Sequence, residues 1–275
     1  MSGLHLLHPP SLGAPRPVAG GAEDGGPERS GPEVTLAAVY AHPLPRAGRD
    51  AWVRANLVTT LDGAATGDDG SSRSISARAD LRVLVLLRSL ADVVLVGAGT
   101  ARAESYGRVT VRPALAARRE ATGQGRAPAL AVVTRSGRLP EGLLEVPERP
   151  SDSGSVLVVT CLAAGEAALD RLRARLGEDA VVVAGDGDVD VTDALSQLVS
   201  SGMRRVLCEG GPALLHAVAA ADALDELCLT TSPLLVAGDG PRALVGPALQ
   251  RRLRLATLLH SEDDGVLMAR WTVER

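Results

Sequence analysis

Three short runs set chemistry-bearing side chains beside glycine: Thr60-Leu61-Asp62-Gly63, Gly97-Ala98-Gly99-Thr100 and Glu209-Gly210-Gly211-Pro212. Each follows an apolar, β-branched stretch of the kind that forms a buried strand. Glycine at such a junction lets backbone pass close to a ligand, because no Cβ stands in the way. In an open parallel sheet the carboxyl ends of the strands converge on one edge, and ligands bind there. That edge would display Asp62, Thr100, Glu104 and Glu209. Gly210-Gly211 precedes a helix-forming run, Ala213 to Ala221, whose free N–H groups suit a pyrophosphate. Arg88, Arg102, Arg108 and Arg112 are suited to clamp a substrate phosphate through forked hydrogen bonds.

Taken singly, each feature has an ordinary structural explanation. Asp-Gly is a common turn dipeptide, and Gly-Ala-Gly makes a tight turn. His216 falls on a run of Ala and Leu, where packing accounts for it. Three glycine junctions in register with a cluster of arginines are harder to dismiss. Other chemistries are excluded directly. The third glycine of a dinucleotide G-x-G-x-x-G fingerprint is Arg102, and no clear helix is expected after Gly99. Neither a zinc-deaminase signature nor G-x-S-x-G, H-E-x-x-H or a P-loop occurs.

The elements that must position these junctions alternate between strand and helix. Strands are expected over Trp52–Val58, Val93–Val96, Ala129–Thr134, Val156–Thr160, Val181–Ala184 and Arg205–Cys208. Further strands are expected near Leu227–Thr231, Leu255–His260 and Val266–Trp271, the last two joined through Asp264-Gly265. Helices are expected over Ser76–Leu90 with Ser76 as N-cap, Ala163–Leu176, Thr192–Ser201 capped by Thr192 or Asp190, and Ala213–Ala221. Val34–Tyr40 fits a short helix or strand, and Pro140–Ser155 reads as a loop. The pattern is an α/β domain over 32–275, with a mostly parallel sheet and antiparallel C-terminal edge strands. Residues 1–31, rich in Pro and Gly, read as a flexible N-terminal tail.

Composition narrows the function classes. All 29 basic residues are arginine, so no lysine exists to form a Schiff base. Phe is absent, and the core must be built from Val, Leu and Ala. A formal charge of −4 and few aromatic residues give no reason to expect nucleic acid or an anionic membrane as partner. Cys161, Cys208 and Cys228 sit singly in apolar runs, as small buried hydrophobes of a reducing compartment rather than disulfides or metal ligands. His5, His8 and His42 lack metal-ligand spacing and read as solvated. Apolar runs are broken by Arg88, Asp92 and Asp225, short of a membrane span, and no signal peptide is evident. A cytoplasmic protein acting on a small molecule is expected, with no metal.

At these same residues the sequence resembles the reductase domain of riboflavin biosynthesis, a family with the dihydrofolate-reductase-like fold. The matching segments are Val58 to Gly63, Ser74-Ile75-Ser76, Leu87-Arg88, Asp92 to Thr100, Glu104 and Val109 to Arg112. Glu209 to Leu214, Asp225-Glu226-Leu227 and Pro233 to Gly240 complete the pattern. The resemblance spans Trp52 to Trp271 in the family's order. It implies a three-layer α/β sandwich, a homodimer, and NADPH bound at Thr60, Ser72, Gly97, Thr100, Glu104, Gly210, Gly211 and Pro212. Arg135 or Ser136 would lie near the adenosine 2′-phosphate. For substrate it implies Ser72, Arg88, Arg112 and Glu209, acting on a phosphoribosylaminopyrimidine of the 5-amino-6-(5-phosphoribosylamino)uracil type. The proton required could come from Asp62, Glu104 or Glu209. The chain departs from the family at Glu104, where an Asp is usual, at Ser74, where a Trp is usual, and around Tyr106, where a Pro is common. Alternatives are reduction of another pteridine-like or imine substrate, or nucleotide binding without catalysis. The family's deaminase domain is absent from this sequence.

Overall fold

The computed structural model describes residues 4–7, 16–17, 32–43, 50–145 and 152–275. Runs such as Val93–Val96 and Val156–Val159 are apolar at every position, and every one of these residues is buried. That is the signature of strands covered on both faces, as in a parallel sheet between helix layers.

In chain order the strands are β1 (Leu4–Leu6), β2 (Arg16–Pro17), β3 (Trp52–Thr60), β4 (Val93–Gly97), β5 (Ala129–Val133) and β6 (Val156–Thr160). They continue as β7 (Val181–Val183), β8 (Arg205–Cys208), β9 (Glu226–Ser232), β10 (Leu253–Ser261) and β11 (Leu267–Val273). The helices are α1 (Pro32–Val39), α2 (Arg78–Leu90), α3 (Ala98–Ala103), α4 (Pro113–Ala121), α5 (Glu166–Leu176), α6 (Val191–Ser200) and α7 (Pro212–Ala220). One sheet runs β2-β1-β10-β11-β9-β3-β8-β4-β5-β6-β7. From β9 to β7 all neighbours are parallel, and β10 and β11 are antiparallel. Alternate side chains face opposite ways. Val94, Val96, Leu130 and Leu207 pack with α1, α2 and α4, whereas Val93, Leu95, Ala131 and Val206 pack with α6 and α7. The result is the three-layer α/β sandwich the sequence implies.

Several local expectations need correction. Most of the segment read as a flexible tail lies outside the described residues, yet Leu4–Leu6 pairs antiparallel with β10 and buries Leu4. The C-terminal strands are therefore not the sheet's edge on that side. Ser76 does not cap α2. The helix starts at Arg78, and its first-turn amide at Ala79 instead donates to Asp264 Oδ2, 3.0 Å away on the β10–β11 turn. For α6 the cap is Asp190, whose carboxylate accepts from the amides of Thr192 and Asp193 at 2.8 and 3.0 Å. A short helix, α3, does follow Gly97, contrary to expectation, and α4 was not foreseen. The expected loop over Pro140–Ser155 contains a 3-10 turn at Glu141–Leu143 that buries Leu143; residues 146–151 lie outside the described set.

Of His5, His8 and His42, read as solvated from their spacing, His42 is not. Both its ring nitrogens are shielded without a hydrogen-bond partner. Burial and the nearby Arg54 hold its pKa well below the usual histidine range. His5 pairs with Glu262 at 3.1 Å, and His8 lies outside the described residues.

His42 borders an ionic network at the end of the sheet where β3 begins. Arg54 and Glu226 are adjacent on β3 and β9, and both are fully buried. Glu226 accepts from Arg54 at 3.0 Å, Arg270 at 2.7 Å and the Trp52 indole at 3.1 Å. The same guanidiniums donate to the last carbonyls of α1, Arg54 to Tyr40 at 2.8 Å and Arg270 to Val39. Cations at a helix C-terminus complement its dipole. Burial alone would raise the Glu226 pKa, but Arg54 and Arg270 outweigh it and pull the carboxyl down to about 2.

Removing one partner of a buried pair leaves the other charge uncompensated. Glu226→Gln is therefore expected to cost about 3–5 kcal/mol at neutral pH. Because the folded-state pKa is depressed, the wild-type advantage is complete above the ordinary value of 4.5 and lost as pH falls toward about 2. Urea unfolding of both proteins across that range measures it.

Candidate active site

The carboxyl ends of β3, β4 and β8 open into a cleft of about 580 Å³. One wall is α2, which contributes Asp80, Leu81, Leu84 and Arg88, residues spaced to share a helix face. The opposite wall is the chain from Gly99 to Gly107, and the β8–α7 junction closes the end with Glu209, Gly211 and Pro212.

Two glycine junctions meet here. The Gly97 amide donates to the Gly210 carbonyl at 2.7 Å. A Cβ on Gly97 would come within 3.5 Å of the Gly211 nitrogen, and one on Gly211 would lie 2.5 Å from Thr100 Oγ1. Any larger residue at position 211 would have to displace the Thr100 hydroxyl. The Gly210–Gly211 peptide is cis, and Gly210 has φ of +82°, a conformation that favours glycine. Pro212 then opens α7 at its first position, where no N–H is needed. The outcome is a bare backbone cradle beside a hydroxyl.

Glu209 follows β8 and is nearly out of solvent. Arg88 grips it with two bonds, Nε to Oε1 at 2.7 Å and a terminal nitrogen to Oε2 at 2.6 Å. The Tyr106 hydroxyl donates to Oε2 at 2.6 Å, and the Arg88 guanidinium lies 5.1 Å from the Tyr106 ring centroid. Burial works against the Arg88 charge, but the bonds to Glu209 outweigh it and raise its pKa. Burial, then the Glu209 charge, raises the Tyr106 pKa, so the phenol stays protonated and donates.

Glu104 is held differently. It accepts from the Ser72 amide and hydroxyl at 2.9 Å each, from Ser71 Oγ at 3.2 Å, and pairs with Arg73 at 3.2 Å. It pins the polar 67–74 loop against the end of α3. Asp80, by contrast, is 5% exposed on the cleft face of α2. It accepts hydrogen bonds from the Ser76 and Thr230 hydroxyls. Its place in the first turn favours the carboxylate by about 0.3–1 kcal/mol. Burial outweighs this and the hydroxyl bonds, and its pKa is raised.

Of the residues singled out in the sequence, Ser72, Arg88, Thr100, Glu104, Glu209, Gly211 and Pro212 line this cleft, with Gly97 and Gly210 bonded to each other behind it. Asp62 and Thr60 do not line it. Asp62 is exposed and bonded by the Thr60 hydroxyl and by the amides of Val236 and Ala237 at 3.2 and 2.7 Å. The Thr60 bond first, then the Ala237 amide, lowers its pKa. Together the two residues tie the β3 turn to the loop after β9. Arg112 starts α4 beside Leu36 and Leu115, away from the cleft. Arg135 donates to the Gly187 carbonyl at 2.8 Å, and with exposed Ser136 lies farther along the same sheet edge, past β5. Arg102 and Arg108 also donate to backbone carbonyls, of Arg138 and of Glu145 and Gly154. His216 bonds the Pro247 carbonyl at 2.8 Å.

Sequence reasoning missed Asn56, Arg73, Asp80 and the bonding role of Tyr106. Asp80 carried a usable signal, since it stands two helical turns before Arg88 on the same face. Among the described residues no group of three His, Cys, Asp or Glu side chains is placed to hold a metal.

Residues 51–267 match the family described as RibD C-terminal domain. The 2,5-diamino-6-ribosylamino-4(3H)-pyrimidinone 5′-phosphate reductase of Archaeoglobus fulgidus is 27% identical over 222 residues, covering 80% of this chain and 98% of that protein. The enzyme of the same name from Methanothermobacter thermautotrophicus is 30% identical over 194 residues, covering 70% of this chain and 83% of its own. Among solved structures, a pyrimidine reductase-like protein from Corynebacterium diphtheriae gives a TM-score of 0.73 at 27% identity, over 82% of this chain and 92% of that one. The riboflavin biosynthesis reductase of Saccharomyces shares the fold, with a TM-score of 0.52 at 16% identity over 82% of this chain and 90% of that one. With a glycine cradle and a gripped glutamate at the strand ends, and a match over most of its length, the chain belongs to the RibD C-terminal domain family.

Proposed function

We propose that this chain is an NADPH-dependent reductase that opens the ribose of a phosphoribosylaminopyrimidine to a ribityl chain, a step of riboflavin biosynthesis. The observation that carries the proposal is that the glycine cradle and the Arg88–Glu209–Tyr106 cluster share one cleft. The reductase names of the archaeal relatives support it. The cradle fits a dinucleotide pyrophosphate, because backbone at Gly211 and the start of α7 is free of side-chain bulk beside Thr100. Arg135 and Ser136 would serve the adenosine 2′-phosphate farther along the edge. When bound, NADPH supplies the hydride.

The chain's own residues then orient the pyrimidine. Glu209, held rigid by Arg88 and Tyr106, presents a fixed carboxylate as acceptor for ring N–H groups. Arg88 uses Nε and one terminal nitrogen on Glu209, which leaves its other terminal nitrogen for a substrate anion. The phosphate role implied for Arg112 is not supported by its position outside the cleft. Ser72, fixed through Glu104 and lining the cleft, would face both ligands, as the family resemblance implies. These residues contribute orientation of the two reactants. Family resemblance further implies a homodimer in the cytoplasm.

The test is loss of reduced-nicotinamide absorbance with two substrates, the 2,5-diaminopyrimidinone and the 5-aminouracil phosphoribosyl compounds. Wild type is expected to oxidise NADPH with at least one of them. Gly211→Val is expected to weaken NADPH binding at least tenfold by calorimetry, with Gly211→Ala intermediate. Wild type that neither binds NADPH nor turns over either compound would contradict the proposal. A second outcome follows from the geometry at Glu209: Tyr106→Phe removes one of its three donors and is expected to raise the substrate KM severalfold while leaving NADPH affinity unchanged, as steady-state kinetics and calorimetry would show.

A further inference from the structure

We propose that Asp80 is the acid of this cleft, its carboxyl group holding the proton that the ribose ring oxygen takes as the sugar opens. The inference rests on the reaction proposed above. It follows from what each carboxylate touches. Glu209 has both oxygens on Arg88. Glu104 is paired with Arg73 and bonded by two serines. Asp62 lies outside the cleft, bonded to amides of the loop after β9. A carboxylate whose oxygens are engaged by a guanidinium is committed to positioning and has no oxygen left to serve the sugar. Asp80 alone among these lines the cleft, is buried, and is bonded only by hydroxyls, those of Ser76 and Thr230. A hydroxyl both donates and accepts, so these partners serve either protonation state.

The charged groups around Asp80 are few. On its own helix are Arg78, Arg82 and Arg88, the last committed to Glu209. Asp264 reaches the adjacent Ala79 amide from the β10–β11 turn, and Arg73 with Glu104 faces α2 across the cleft. β3 and β9 present the uncharged Asn56 and Thr230. With no cation bonded to it, burial sets the direction and lifts its pKa.

In the step itself Asp80 gives its proton to the ribose ring oxygen as the C1′–O4′ bond breaks and that bond's electron pair stays on the oxygen. The hydride that C1′ receives is the one the reduced nicotinamide supplies, so C1′ is reduced and the nicotinamide oxidised. The glycosidic nitrogen keeps its hydrogen. The carboxylate left on Asp80 regains a proton from water at the cleft mouth.

Two measurements test this, one of which needs no turnover. The first is an infrared pH titration of the full chain, taken as wild type minus Asp80→Asn. A protonated-carboxyl band persisting above the ordinary aspartate range is expected, and a group already ionised in that range would overturn the proposal. The second is the pH profile of kcat. Asp80→Asn is expected to retain its NADPH affinity and thermal midpoint, lose roughly 100-fold or more in kcat, and lose the alkaline limb. Ser76→Ala removes a donor to the ionised form, so the alkaline limb should move to higher pH. Wild-type kcat in Asp80→Asn, or an unmoved limb in Ser76→Ala, would overturn the assignment. A high-titrating Asp80 in a protein inert toward both pyrimidines would instead contradict the reaction proposed above, a result the infrared titration separates from failure of the buried acid.

Discussion

The paired bond from Arg88 to Glu209 joins two residues 121 positions apart, the last turn of α2 and the exit of β8. Neither charge would be tolerable there alone, since stripping water from one ion costs several kcal/mol. Together, with the Tyr106 hydroxyl filling a further lone pair, they form a rigid corner where three chain segments meet. The cleft depends on that corner. It sets the distance between the helix carrying Asp80 and the backbone cradle at Gly211, and it spends the glutamate's charge on geometry.

A second ionic system does the corresponding work at the opposite end of the same strands. Arg54 and Glu226 face each other across β3 and β9, and their partners reach the closing carbonyls of α1. Between these two systems the strands hold side chains such as Ala55 and Cys208, small and fully buried. A core built mainly of Val, Leu and Ala has few large rings to lock the sheet to its helices, Tyr40 and Trp52 being the buried ones. Buried arginine–carboxylate bonds supply directional contacts in their place. Asp264 adds a directional contact of another kind, accepting from the Ala79 amide at the start of α2 from the β10–β11 turn.

Much of this was legible in the sequence, and for identifiable reasons. Continuous β-branched runs marked the central strands, since strands covered on both faces show no alternation. The three glycine junctions were visible, and two of them do meet, with the Gly97 amide bonded to the Gly210 carbonyl and Gly211 lying against the Thr100 hydroxyl. What failed was partner assignment across distance. Ser76 stood where a helix cap belongs, yet a residue 185 positions away from Ala79 caps that amide, which leaves Ser76 for Asp80. Asp62 resembled an active-site acid and is a loop fastener, because Asp-Gly serves turns and sites alike. Tyr106 and Glu226 entered only through the family pattern, the first as a departure and the second within Asp225-Glu226-Leu227, and their partners stayed hidden because hydrogen bonds between remote segments leave no period in the chain.

On the function proposed above, the two glycine junctions would together form the seat of the nicotinamide dinucleotide. Hydrogen exchange of the full chain with and without NADPH tests it most directly. Slowed exchange at the amides of 97–104 and 210–215, with Glu209 and its neighbours included, is expected when NADPH binds. Unchanged exchange in both segments, or protection confined to the hollow around Trp52 and Arg275 at the other end of the sheet, would contradict it.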